Sequence, residues 1–206
     1  NADLALYKAK EYGGNSYYLY GDEIKSKGLE KMLLLNQLRQ ALENDQFVLH
    51  YQPQIDIETG NIMGVEALVR WEHPEKGLLY PDSFIGLAEE TGIIIQMGEW
   101  ILKKACIQAK EWLDQGYDIK MSVNISAKQF QHRNFIKEII DVLTETKLNP
   151  KNLTLEITET IAISDMDHTL NILTKLKNLG IAVAIDDFGT GYSSLSYLND
   201  MSVNEL

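Results

Sequence analysis

The 206-residue chain is poor in cysteine and in positive charge, and both shortages limit its function. One cysteine, Cys106, excludes an internal disulfide and fits a reducing compartment such as the cytoplasm. Only 19 basic residues stand against 30 acidic ones, for a net charge of -11. This balance argues against broad binding to DNA, RNA or an anionic membrane. It does not exclude a small phosphorylated ligand held through metal ions.

Long apolar runs are also lacking, since no stretch approaches the roughly 20 residues that a membrane-spanning helix needs. We therefore expect no membrane segment in this chain. The first residue is Asn1, already inside a helical pattern, so we expect the parent protein to continue upstream. A sensor domain or a membrane anchor would lie there.

What is present has the balance of a globular protein, with 45% hydrophobic and 24% charged residues. An amphipathic helix is predicted over residues 28–44. The runs FVLHYQPQI (47–55) and IMGVEALVRW (62–71) are joined by a short turn at 58–61, which predicts an antiparallel hairpin. Pro53 favours an edge or irregular position in the first of these strands.

After the hairpin the pattern alternates between helices and strands. Helices are predicted near 82–91, 95–115, 133–146 and 166–179. Strands are predicted at MSVNIS (121–126), LTLEIT (153–158) and IAVAID (181–186). This alternation predicts an α/β fold whose parallel sheet is covered by helices.

Each of these strands has one bulky apolar face and one small or polar face, because successive side chains point in opposite directions. The polar faces carry an oxygen-bearing side chain near the carboxyl end of each strand: Glu66, Asn124, Glu156 and Asp186, followed one step on by Asp187. In a closed barrel of parallel strands these faces converge inward and the carboxyl ends form one rim. The five side chains would then meet.

Such a group would offer four carboxylates and one amide oxygen, with no histidine or cysteine among them. Hard oxygen ligands select Mg²⁺ or Mn²⁺ over zinc. The accumulated negative charge suits two divalent cations, and paired metals suit phosphoryl chemistry. The simpler alternative for each residue alone is a strand-end cap or a solvated carboxylate.

The same residues carry a family resemblance. The motifs YQPQ, GVEALVRW, SVNIS, LEITET and AIDDFGTGYSSL stand in the order found in EAL domains, the cyclic di-GMP phosphodiesterases, and the resemblance covers residues 29–206. Residues 1–20 are similar to the C-terminal end of a GGDEF (diguanylate cyclase) domain, without that family's active-site loop. Residues 21–28 are then interpreted as a linker.

The resemblance implies a TIM-like (β/α) barrel with an antiparallel first strand and two Mg²⁺ or Mn²⁺ ions. It implies hydrolysis of cyclic di-GMP to linear pGpG by a two-metal mechanism. Carried over by position, Glu66, Asn124, Glu156, Asp186 and Asp187 would ligate the metals, and the four carboxylates among them would be catalytic. Ligand contacts would come from Gln52, Leu68 and Arg70. A loop at Gly189 and Gly191 would be supported by Glu159.

The sequence departs from the family at its end, SVNEL. In EAL proteins a lysine-bearing strand and further strands with a glutamate and a glutamine follow this point. We therefore expect a barrel that is incomplete at the C-terminus, either because the chain is shortened or because a second copy completes the sheet by strand exchange in a homodimer.

Two functions stay open at this stage. The first is a phosphodiesterase in the parent protein, and the activity of this chain on its own stays open. The second is a non-catalytic regulatory module that binds cyclic di-GMP.

Overall fold

The structure is a computed structural model that describes residues 22–186, including their side chains except at 22–30, 163 and 164. The chain divides into two compact units, Asn1–Asp45 and Gln46–Leu206. The described part of the first unit is one helix, α1 (Asp22–Glu43). It begins earlier than the predicted residue 28, so most of the segment expected to be a linker is helical. The predictions for residues 1–20 lie outside the described residues.

The described part of the second unit contains six strands. They are β1 (Phe47–Ile55), β2 (Ile62–His73), β3 (Gly77–Leu79), β4 (Lys120–Asn124), β5 (Leu153–Thr158) and β6 (Ala182–Asp186). The strand order is β1-β2-β4-β5-β6, with β3 paired to β2. β1 and β3 run antiparallel to β2, whereas β2, β4, β5 and β6 are mutually parallel.

This sheet confirms the predicted antiparallel hairpin followed by parallel strands. Pro53 lies in β1, which is an edge strand within residues 22–186, and the register of β1 shifts between Gln54 and Ile55. An edge strand tolerates a proline, which has no backbone N–H, because it has no neighbouring strand on one side to accept a hydrogen bond. Within the same residues, β1 and β6 do not pair with each other, so the described sheet is open.

The helices that follow α1 are α2 (Ile85–Thr91), α3 (Ile93–Asp114), α4 (Ala127–Phe130), α5 (Phe135–Thr146), α6 (Glu159–Ser164) and α7 (Met166–Leu179). Short 3₁₀ turns occupy Pro81–Ser83 and Pro150–Asn152. The four predicted helices are confirmed within a few residues. Across residues 22–186, every helix is too short or too polar to cross a membrane.

Three short elements were not predicted, namely β3, α4 and α6. Each is too short to show a hydrophobic period, so its position depends on neighbouring strands and caps. In α4, for example, Ser126 and Gln129 form a capping box: Ser126 Oγ accepts from the Gln129 amide, and Gln129 Oε1 accepts from the Ser126 amide. This box fixes the chain directly after β4.

The apolar face of the sheet forms the core against the helices. On β2 the side chains of Val65, Ala67, Val69 and Trp71 are buried. Trp71 donates from Nε1 to Gln46 Oε1 over 3.1 Å, and its ring lies 5.7 Å from the ring of Phe47. The opposite face of β2 is thereby left for the polar residues.

The packing between α3 and α4 depends on Gly98. The side chain of Gln129 is buried, and its Nε2 lies 1.7 Å from the position that a Cβ on residue 98 would occupy. A glycine inside a helix costs about 1 kcal/mol relative to alanine, so its presence in α3 has a packing reason. Gly98 leaves the space in which Gln129 completes the cap of α4.

We expect Gly98→Ala to destabilise the protein by about 1–3 kcal/mol, because the new methyl group displaces Gln129 and breaks buried hydrogen bonds. Gly86→Ala in α2 is the matched control, since no atom lies within 4 Å of the added Cβ. The control is expected to be neutral or stabilising. Urea unfolding of both variants measures the difference, and equal stability of the two would contradict this account of the packing.

Candidate functional site

The register of the parallel strands places the polar residues in rows across one face of the sheet. Glu66 pairs with Gln52 on β1 and with Ser122 on β4. Asn124 pairs with Glu156 on β5, and one row higher Thr158 pairs with Asp186 on β6. The acidic positions therefore rise by one row from β2 to β5 and by another from β5 to β6, as expected from the stagger of a barrel-like sheet.

Glu66 and Asn124 are in direct contact. Asn124 Nδ2 donates to Glu66 Oε1 over 2.6 Å. Because only the nitrogen end of the amide is used within residues 22–186, the oxygen of Asn124 remains an acceptor there. The contact confirms that residues 58 positions apart in sequence meet at this face.

Glu156 is half-buried, and burial raises the pKa of its carboxyl group. The negative charges of Glu66 and Asp186 raise this pKa further, whereas side-chain hydrogen bonds from Ser122 and Gln54 act against the rise. Like charges that raise a pKa must lie near one another, so the three carboxylates share one electrostatic environment.

Gln54 reaches Glu156 across Gly64, the residue that opens the GVEALVRW motif. Gln54 pairs with Gly64 in the hairpin, and its Oε1 lies 2.7 Å from the position of a Cβ on residue 64. A larger residue at this position would displace the Gln54 side chain. The presence of glycine near the amino end of β2 is thus explained by the site itself.

The donor set fits divalent cations in its chemistry. Glu66, Glu156, Asp186 and the amide oxygen of Asn124 are hard ligands of the kind that Mg²⁺ and Mn²⁺ take. Within residues 22–186, however, no three His, Cys, Asp or Glu side chains are close enough to hold an ion as they stand. Burial is the main cause of the raised pKa of Glu156, and the charges of Glu66 and Asp186 add to it; cations would neutralise those charges.

The three expected ligand contacts lie on the same face of the hairpin. Gln52 is exposed and directly opposite Glu66, while Leu68 and Arg70 follow Glu66 along β2 and are half-exposed. The structure thus places all three on the strand face that carries Glu66. Their role as ligand contacts stays a prediction.

The rest of the predicted site lies partly outside the described residues. Asp187, Gly189 and Gly191 are in that part of the chain. Glu159 is 6% exposed and stands in the first turn of α6, directly after β5. Its predicted support of the glycine loop therefore stays a prediction.

Sequence reasoning assigned no role to Ser122 or Gln54. Both share a strand face with predicted site residues, and this alternation was the available signal. Only the register shows that Ser122 stands beside Glu66 and that Gln54 passes over a glycine.

Comparison with known proteins agrees with the geometry. The family model described as "EAL domain" matches residues 35–206. The bifunctional diguanylate cyclase/cyclic di-GMP phosphodiesterase MucR of Pseudomonas aeruginosa is 47% identical over 207 residues, covering 100% of this chain and 30% of MucR. Signaling protein YkoW of Bacillus subtilis is 46% identical over 205 residues, covering 100% of this chain and 26% of YkoW.

The solved structure of the MucR phosphodiesterase in complex with c-di-GMP superimposes with a TM-score of 0.82 at 49% identity, covering 84% of this chain and 70% of that one. The match confirms the predicted TIM-like α/β fold with an antiparallel first strand. This chain spans 30% or less of the length of the two curated relatives. On the family match over most of its length, the chain belongs to the EAL domain family.

Proposed function

We propose that the protein containing this chain hydrolyses cyclic di-GMP to linear pGpG by a two-metal phosphodiesterase mechanism. One observation carries the proposal: Glu66, Glu156 and Asp186 come from three separate strands and share one electrostatic environment. One relative, MucR, supports it twice: its name includes cyclic di-GMP phosphodiesterase, and its solved structure is a c-di-GMP complex.

Two Mg²⁺ or Mn²⁺ ions would be held by Glu66, Asn124, Glu156, Asp186 and, outside the described residues, Asp187. When bound, the ions would neutralise these carboxylates, offset the charge of the phosphodiester and make the attacking water more acidic. The chain's own part is orientation. Asn124 holds Glu66 through its amide, and Ser122 and Gln54 hold Glu156.

The substrate would be bound on the β1–β2 side of the metals, by Gln52, Leu68 and Arg70. Arg70 suits a phosphodiester because a guanidinium group donates to two oxygens at once. The loop at Gly189 and Gly191 would be supported by Glu159.

We further propose the domain assignment suggested by the sequence. Residues 1–20 would be the C-terminal part of a GGDEF domain, residues 21–28 the linker, and residues 29–206 the EAL domain. The protein would act in the cytoplasm, where the buried thiol of Cys106 stays reduced. Burial raises the pKa of that thiol to about 12, which makes it unreactive.

We expect Glu66→Ala to reduce the rate of pGpG formation by at least about 100-fold in the full-length protein, because it removes a carboxylate that would hold the metals. Chromatography of the products after incubation with cyclic di-GMP and Mg²⁺ measures this rate. The far-ultraviolet circular dichroism should stay unchanged.

Glu58→Ala is the matched control for that experiment. Glu58 is an exposed carboxylate in the β1–β2 turn, at the amino end of β2 and away from the polar rows. Undiminished turnover in the Glu66 variant would reject the assignment. Binding of cyclic di-GMP by the unaltered protein without any pGpG would instead identify a regulatory module.

The raised pKa of Glu156 predicts how the stability of the protein depends on pH once EDTA has removed divalent cations. A carboxyl group whose pKa is higher in the folded than in the unfolded state destabilises folding at neutral pH, and this effect is relieved as the pH falls toward the folded-state pKa. Glu156→Gln removes the charge and keeps an acceptor for Ser122 and Gln54. We therefore expect it to raise the Tm at pH 7 in EDTA and to flatten the dependence on pH.

With added Mg²⁺ the unaltered protein should have the higher Tm of the two, because only it keeps the full set of carboxylates. Differential scanning calorimetry with and without Mg²⁺ measures both effects, with Glu58→Gln as the control. Equal stabilisation of the Glu156 variant and the unaltered protein by Mg²⁺ would argue against a cation at Glu156.

A further inference from the structure

The guanidinium group of Arg70 is held in an unusual way for a cation beside an acidic site. Arg70 Nη1 donates to the carbonyl oxygen of Val69 over 2.8 Å, and Nε is buried without a hydrogen-bond partner among residues 22–186. No ion pair joins Arg70 to a carboxylate within those residues. The group that covers it is the ring of Tyr80, whose centroid lies 4.9 Å from the guanidinium carbon.

The hairpin register brings Tyr80 to this position. Trp71 pairs with Leu79 and Glu72 pairs with Leu78. Tyr80 directly follows β3, and continuing this register by one residue puts it opposite Arg70. Residues that stand opposite one another project to the same face of the sheet. Tyr80 therefore lies on the face that carries Glu66 and Arg70.

The backbone of Tyr80 is fixed on its other side by the 3₁₀ turn Pro81–Ser83. Because Pro81 follows, Tyr80 is confined to extended conformations, and it has φ -93° and ψ 158°. Its carbonyl oxygen accepts from the amide and the hydroxyl group of Ser83, over 3.0 and 2.6 Å. Strand and turn together hold the ring in place over Arg70.

Core packing does not explain this tyrosine, because Tyr80 is 58% exposed. An exposed ring that covers a cation limits the cation's rotamers without removing it from solvent. Within residues 22–186 the guanidinium group makes no hydrogen bond besides the one to Val69, so its remaining N–H donors are left for an anionic ligand.

We propose that Tyr80 is a positioning residue for ligand binding, which holds the guanidinium plane of Arg70 so that its free edge faces a phosphodiester of the cyclic dinucleotide. The proposal rests on the function proposed above. Tyr80 acts through Arg70 and takes no part in the chemistry.

Calorimetric titration of the full-length protein with cyclic di-GMP tests it. Tyr80→Leu removes the aromatic face, and we expect the Kd to rise about three- to fivefold, the range of an exposed cation–π contact. Tyr80→Phe keeps the face and should bind within about twofold of the unaltered protein. Where turnover is measured, KM should rise in the leucine variant with kcat nearly unchanged, because ground and transition states lose the same contact.

Tyr117→Leu is the matched control, since Tyr117 is 61% exposed in the loop after α3. Its affinity should not change. A double-mutant cycle separates positioning from a general structural effect: once Arg70→Ala has removed the guanidinium group, adding Tyr80→Leu should change the Kd no further. The proposal would be overturned if Tyr80→Leu raised the Kd as much in the Arg70→Ala variant as it does in the unaltered protein.

A second readout needs no ligand. The side-chain protons of Arg70 should show an upfield ring-current shift in NMR spectra, which Tyr80→Leu abolishes and Tyr80→Phe preserves. Absence of that shift in the unaltered protein would overturn the inference whatever the ligand. Failure of the unaltered protein to bind cyclic di-GMP would instead overturn the proposed function, so the two failures are distinguishable.

Discussion

Repulsion between carboxylates on one face of a parallel sheet is the constraint on which this site depends. Glu66, Glu156 and Asp186 come from three strands, and burial together with the charges of Glu66 and Asp186 raises the pKa of Glu156. A fold that brings such groups together is less stable when no cations are bound. The strands hold the groups in place because their opposite faces are anchored in the core, as Val65, Val69 and Trp71 are on β2.

The neighbours of the carboxylates are donors or small residues, and each relieves the crowding in a different way. Asn124 donates to Glu66, and Ser122 donates to Glu156. Gly64 has no side chain and lets Gln54 cross β2 toward Glu156. The site is therefore a network in which hydrogen bonds offset part of the repulsion, and the uncompensated charge is what a pair of divalent cations would neutralise.

Much of the fold follows from local patterns in the sequence. The hairpin, the parallel strands and the long helices were predicted correctly because each has a hydrophobic period of its own. β3, α4 and α6 were missed, since elements this short are positioned by partners elsewhere in the chain. The helix α1 also begins before the predicted residue 28, because the polar segment after Gly21 lacks a proline to prevent an earlier start.

The sequence by itself determined which side chains share a strand face, since alternation along an extended chain is a property of the backbone. It thereby placed Glu66, Glu156 and Asp186 on polar faces and identified their oxygen chemistry. Tertiary structure alone decided which of those faces meet and at what height, because strand register depends on residues far apart in sequence. For the same reason the contact of Asn124 with Glu66, and the ring of Tyr80 over Arg70, became visible only in the folded chain.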